Sequence, residues 1–159
     1  MIVYHGSTVE IRHPDVAHSK RNLDFGPGFY TTTFKEQAES WALRKALRLR
    51  EPAIVNVYAL NDKLDDFRKK EFTKNNRDWV EFVCACRRGG EVFKQYDLVK
   101  GGVANDKVYV VVDMYYRGIW DMERTLSELR FYEHSDQICL LSQELVDKHL
   151  IFTESYEVA

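Results

Sequence analysis

The stretch Asp24-Phe25-Gly26-Pro27-Gly28-Phe29-Tyr30-Thr31-Thr32-Thr33 constrains this chain more than any other. Two glycines bracket a proline, and an aromatic, β-branched run follows at once. Glycine takes positive φ and lets another group approach its backbone closely. Pro27 fixes its own φ, lacks an N–H and restricts the residue before it. The stretch reads as a turn entering a strand, along which Phe29 and Tyr30 point to opposite faces, one to a core and one to a cleft. Taken alone, Gly-Pro-Gly is better explained as an ordinary turn. It gains meaning beside the N-terminus, where Ile2-Val3-Tyr4 reads as a strand running into His5-Gly6-Ser7. Gly6 permits close approach to the backbone, His5 supplies a ring donor or acceptor, and Ser7 adds a hydroxyl.

A chain of 159 residues with 45% hydrophobic and 30% charged residues fits one soluble domain, residues 1–159. A net charge of −2 gives no global field that would recruit nucleic acid or a membrane. The basic run Arg44-Lys45-Ala46-Leu47-Arg48-Leu49-Arg50 reads as the solvated face of a helix. Cys84, Cys86 and Cys139 match no metal-binding spacing and read as buried free thiols in a reducing compartment. No metal is expected. Neither a charged leader nor a long apolar run is present, so the expectation is a cytoplasmic protein that does not engage membranes.

Residues 8–23 read as a polar loop with one helical turn after Pro14. Phe34 to Arg50 reads as a helix capped by Thr33 or Thr32, with Glu36 spaced for a capping box with Thr33, and ended by Pro52. Ala53–Leu60 is an expected strand and Asn61–Lys74 a surface connection. A helix is expected over Asp78–Arg88, stopped by Gly89-Gly90, and a strand over Tyr96–Val103. Val108–Tyr116 follows, capped by Asn105 or Asp106, with helix and strand both open for its β-branched residues. Asp121–Arg130 reads as a short helix and Gln137–Leu141 as a buried strand. Ser142 caps a helical turn over Glu144–His149, and Ile151–Val158 is the last strand.

The order Tyr4-His5-Gly6-Ser7, Gly26-Pro27-Gly28-Phe29-Tyr30-Thr31-Thr32, a Trp-bearing helix and a late Gln137-Ile138-Cys139-Leu140 strand resembles the ADP-ribosyltransferase superfamily. It is most similar to an uncharacterised bacterial family of that clan. The resemblance implies an α+β fold, an ADP-ribosyltransferase-like split β-sandwich of two small antiparallel sheets with flanking helices and an NAD cleft between them. It matches the branch that uses a His-Tyr-Glu set. His5 takes the place of the histidine that binds adenosine-ribose hydroxyls, and Gly6 that of the glycine whose backbone holds the nicotinamide carboxamide. Tyr30 takes the place of the tyrosine that stacks on the nicotinamide ring. Trp41 lies eleven residues after Tyr30, where the branch carries a second aromatic. Gln137 replaces the glutamate. The implied catalytic set is His5, Tyr30 and Gln137, and the implied NAD-binding set is His5, Gly6, Ser7, Gly28, Tyr30, Thr31 and Trp41. NAD is implied as substrate, with a protein or nucleic-acid acceptor. A role as toxin or effector would add an antitoxin as partner.

The physical chemistry of these residues agrees with that reading. Aromatic faces hold a flat cationic ring, each contact worth roughly 0.5–2 kcal/mol. Cleaving the glycosidic bond builds positive charge on the ribose, which a carboxylate stabilises better than an amide. Gln137 therefore points to a modest transferase, and Asp24, Asp106 and Glu133 are candidate sources of charge. A catalytically inert module that binds NAD or ADP-ribose is the alternative. An RNA 2′-phosphotransferase would need a basic phosphate pocket, for which only the 12–21 loop offers residues.

Overall fold

The computed structural model describes residues 1–19, 23–132 and 135–159. Lys20, Arg21, Asn22 and Glu133, named above as loop residues or a candidate acid, lie outside the described residues. Seven strands form two sheets, and five α-helices flank them among the described residues. The architecture is α+β. The first sheet has the order β1-β3-β7 and is antiparallel, from Ile2–Ser7, Ile54–Leu60 and Leu150–Glu157. The second has the order β2-β6-β5-β4, from Phe29–Thr31, Gln137–Leu140, Leu98–Gly101 and Lys69–Glu71.

The expectation of two antiparallel sheets needs one correction. Strand β4 pairs parallel to β5, so the second sheet is mixed. Lys69-Lys70-Glu71 has no apolar alternation to mark it as a strand, and it lies inside the stretch read as a surface connection. It is held because Arg68 fixes Asp97 through its backbone N–H and its guanidinium, while Leu64 and Phe72 on either side are buried.

Helix α1 covers Lys35–Leu49 and buries Ala38 and Ala42 against β1. Small residues on the helix and Gly6 on the strand let the two backbones nearly touch. A Cβ at Gly6 would lie 2.3 Å from the Ala38 carbonyl oxygen and 2.7 Å from the Ala42 nitrogen. The capping box expected from Thr33 and Glu36 does not form, since Phe34 is the N-cap and makes no side-chain cap bond. Asp136, just before β6, instead fixes the segment that leads into the helix. It accepts from the Thr32 hydroxyl at 2.8 Å, the Thr33 N–H at 2.9 Å and the Thr33 hydroxyl. Gln37 closes the junction by donating to the Asp136 carbonyl at 2.7 Å.

Helices α2 (Arg77–Arg87), α3 (Asp106–Tyr116) and α4 (Met122–Leu129) pack with β5 and β6 around Trp79, Val83, Val108 and Cys139. Asn76, Asn105 and Asp121 cap them through side-chain acceptors. A second apolar cluster, around Val3, Tyr58, Ile138, Leu140 and Leu145, fills the space between the two sheets and α5 (Gln143–His149). All three cysteines are free and buried. No helix of the described residues is long and apolar enough to cross a membrane.

Candidate functional site: the fork between the sheets

The two sheets touch at one backbone bridge, Tyr4 to Thr32, with hydrogen bonds of 2.8 and 2.9 Å. One register step further, Gly6 and Tyr30 would be partners, but no backbone bond joins them among the described residues. The strands part there into a fork. In an antiparallel ladder successive residues turn their backbone groups to alternate sides. Tyr4 bonds outward to Thr32, so Gly6, two residues on, also turns its N–H and carbonyl away from β3 and into the fork.

His5 spans the mouth of the fork. Its Nδ1 donates to the Tyr30 carbonyl at 2.6 Å, and its ring stacks on Phe29 with centroids 4.2 Å apart. A carbonyl only accepts, so the proton sits on Nδ1 and Nε2 keeps a free lone pair. Burial, then the charge of Lys45, push the His5 pKa down to about 3, against the opposing pull of the Tyr30 carbonyl. His5 is therefore a neutral acceptor at physiological pH, able to accept a hydrogen bond from a hydroxyl through Nε2.

Trp41 belongs to α1, and its Cβ lies 2.9 Å from where a Gly6 Cβ would be. Its side chain is half-buried and joins none of the three apolar clusters of the described residues. One turn on, Lys45 is half-buried and donates to the Gly6 carbonyl at 2.7 Å. The basic run is thus not uniformly a solvated face: Arg44, Arg48 and Arg50 are exposed, whereas Lys45 turns into the fork. Its spacing from Trp41 puts both on one helix face, a signal that was present in the sequence.

Other residues of the expected set serve the protein itself. The Tyr30 hydroxyl donates to the Gly26 carbonyl at 2.5 Å and accepts from the Phe25 N–H at 3.0 Å, so it clasps the preceding turn. Burial first, and Cys139 next, raise its pKa and keep it protonated. Thr31 is buried and donates to the Ile138 carbonyl at 3.1 Å, which makes it a sheet residue rather than one facing a ligand. Ser7 is buried at the end of β1. Gly26, not Gly28, has the positive φ, of 90°. A Cβ on Gly28 would meet Cys139 Sγ and the Leu140 carbonyl, each at 2.7 Å, so this glycine admits β6 rather than a ligand.

Gln137, expected in the catalytic set, lies in the interior. It is 4% exposed, and its amide donates to Asp24 at 2.9 Å and to the Gly102 carbonyl at 3.2 Å. Asp24, also buried, accepts further from Arg87 Nε at 2.8 Å, from the other end of that guanidinium and from the Ala104 N–H at 3.0 Å. Of the candidate acids, Asp24 lies beside Gln137, while Asp106 is exposed near Arg44, 3.9 Å away. Asp24, buried, and Arg87, half-buried, form an ion pair that sequence reading missed, because nothing in a lone Asp before a Gly-Pro-Gly turn announces its partner. Among the described residues, no group of three or more His, Cys, Asp or Glu is placed to hold a metal ion.

Residues 1–152 match the model of a family described as a protein of unknown function (DUF3990), and the chain belongs to that family. No curated protein matches the sequence.

Proposed function

For this member of the family we propose an NAD-dependent mono-ADP-ribosyltransferase, built on an ADP-ribosyltransferase-like split β-sandwich. The observation that supports the reading is the fork, where Gly6 turns its backbone outward beside Trp41 of α1 and His5 holds the Tyr30 carbonyl through Nδ1. The nicotinamide end of NAD enters beside Gly6, between the rings of Tyr30 and Trp41. Stacking against a cationic ring favours that pose. Neutral His5 accepts a hydrogen bond from a ribose hydroxyl.

In the reaction the bond from ribose C1′ to the pyridinium nitrogen breaks, and its electron pair leaves with nicotinamide. The acceptor's nucleophile forms the new bond to C1′ and releases its proton to solvent. Positive charge grows on the ribose before the acceptor arrives. Gln137, in the place of the glutamate, spends its amide on the Asp24 carboxylate, which Arg87 and Ala104 also share. That leaves little free negative charge for the transition state, so slow cleavage with a strong dependence on the acceptor is expected.

One observation favours an inert binding module instead: Gln137 donates its amide to Asp24 and to Gly102, within the protein. Nicotinamide release separates the two readings. Incubation with labelled NAD and cell lysate, with and without nuclease, should release nicotinamide and label an acceptor. Binding of NAD with no release under any condition would favour the module.

A further inference from the structure

Lys45 covers the one acceptor that the backbone of Gly6 offers in the fork. Its ammonium donates to the Gly6 carbonyl at 2.7 Å. The Gly6 N–H, on the same edge, has no backbone acceptor there among the described residues. The station therefore presents two donors side by side, and its one acceptor atom already holds an ammonium. A carboxamide brings one donor and one acceptor, so its NH₂ would have to take the carbonyl's second lone pair directly beside an ammonium. A carboxylate brings acceptors only and suits both donors.

The charge balance points the same way. Among the described residues no carboxylate lies in ion-pair range of Lys45; its charged neighbour is Arg48, which with burial lowers its pKa. His5, beside it, is neutral. A half-buried cation without an anion gains from a ligand that supplies one, through a charge-assisted hydrogen bond.

We propose that the Gly6–Lys45 station selects a planar aromatic carboxylate over the corresponding carboxamide, so that the dinucleotide of nicotinic acid is bound in preference to NAD. This rests on the placement of the pyridine ring beside Gly6 proposed above. Trp41, one turn before Lys45 on the same helix, supplies the ring contact, and Lys45 supplies the charge contact.

The test is calorimetric titration of the full chain with nicotinic acid adenine dinucleotide and with NAD, at one pH and salt concentration. The wild type should bind the acid form at least about tenfold more tightly, the scale of one charge-assisted hydrogen bond. Lys45→Met should abolish the preference, and Lys45→Arg should keep most of it. Equal affinities, or a preference for NAD, in the wild type overturn the proposal and leave the NAD reading standing; this arm needs no variant to fold. A preference that persists in folded Lys45→Met overturns the role of Lys45. Tight binding of the acid form with no cleavage of either dinucleotide supports the proposal and counts against the transferase. No binding of either dinucleotide overturns both.

Discussion

Asp24 and Gln137 are 113 positions apart in the chain and meet at 2.9 Å in the interior, amide to carboxylate. This bond ties the turn before β2 to the first residue of β6. Arg87 from α2 joins on the other carboxylate oxygen. Three separate segments thus meet on one buried charge.

Gln137→Ala leaves Asp24 and the Gly102 carbonyl each one donor short and should cost about 1–3 kcal/mol, read by urea denaturation. Gln137→Glu should be worse at neutral pH, because it sets a second carboxylate against Asp24. Such a glutamate has its folded pKa raised above its unfolded value. The penalty therefore grows as pH rises above the unfolded glutamate pKa and fades on acidification. A Gln137→Glu protein as stable as wild type at pH 7 would show that the two groups do not share this site.

Gly28→Ala should lower the melting temperature without changing dinucleotide affinity in the folded protein. The added Cβ meets a sulfur and a backbone oxygen at 2.7 Å, and the backbone cannot withdraw. Overpacking of this kind costs about 1–3 kcal/mol. A loss of affinity at unchanged stability would return Gly28 to the ligand.

Tyr30→Phe removes the hydroxyl that clasps Gly26 and Phe25 but keeps the ring. Stability should fall by about 1–2 kcal/mol, with dinucleotide affinity within about twofold of wild type. Melting curves and titrations on the same preparation separate the two effects.

His5 gives the fold an acid-sensitive limb. Its folded pKa, about 3, lies below the ordinary 6.5. Between those values the unfolded chain binds the proton and the folded chain does not, so stability is full above pH 6.5 and drains away as pH falls towards 3. The loss should be on the order of 2–4 kcal/mol. Replacing His5 with Gln should flatten that part of the stability–pH curve; an unchanged slope would mean that His5 is protonated in the fold.

Much of this architecture was legible because it rests on local rules. Asp121 and Ser142 announced helix starts that the structure reproduces, and Asn105, one of two candidate caps, starts a helix where strand had also been open. The apolar alternation of Ile54–Leu60 and the short Gln137–Leu140 run marked strands that form. What escaped the sequence depends on partners far along the chain. Strand β4 exists because β5 and buried Phe72 hold it, not because Lys-Lys-Glu favours a strand. Thr33, expected as a cap, spends its hydroxyl on Asp136, 103 residues away. In the site, the backbones of His5, Gly6 and Tyr30 border one fork, with Trp41 on the helix beside Gly6. Thr31, Gly28 and the Gln137 amide are used internally, and Lys45 was hidden in a run of exposed charges.

The central claim is that the fork binds a pyridine dinucleotide between Gly6, Tyr30 and Trp41. Its most direct measurement is the calorimetric titration of NAD into wild type, His5→Ala and Trp41→Ala, with folding checked by circular dichroism. The account predicts saturable binding to the wild type, weakened about 2- to 30-fold by loss of the Trp41 ring and also weakened by loss of His5. Folded wild type that gives no saturable heat, or equal affinity in all three proteins, would contradict it.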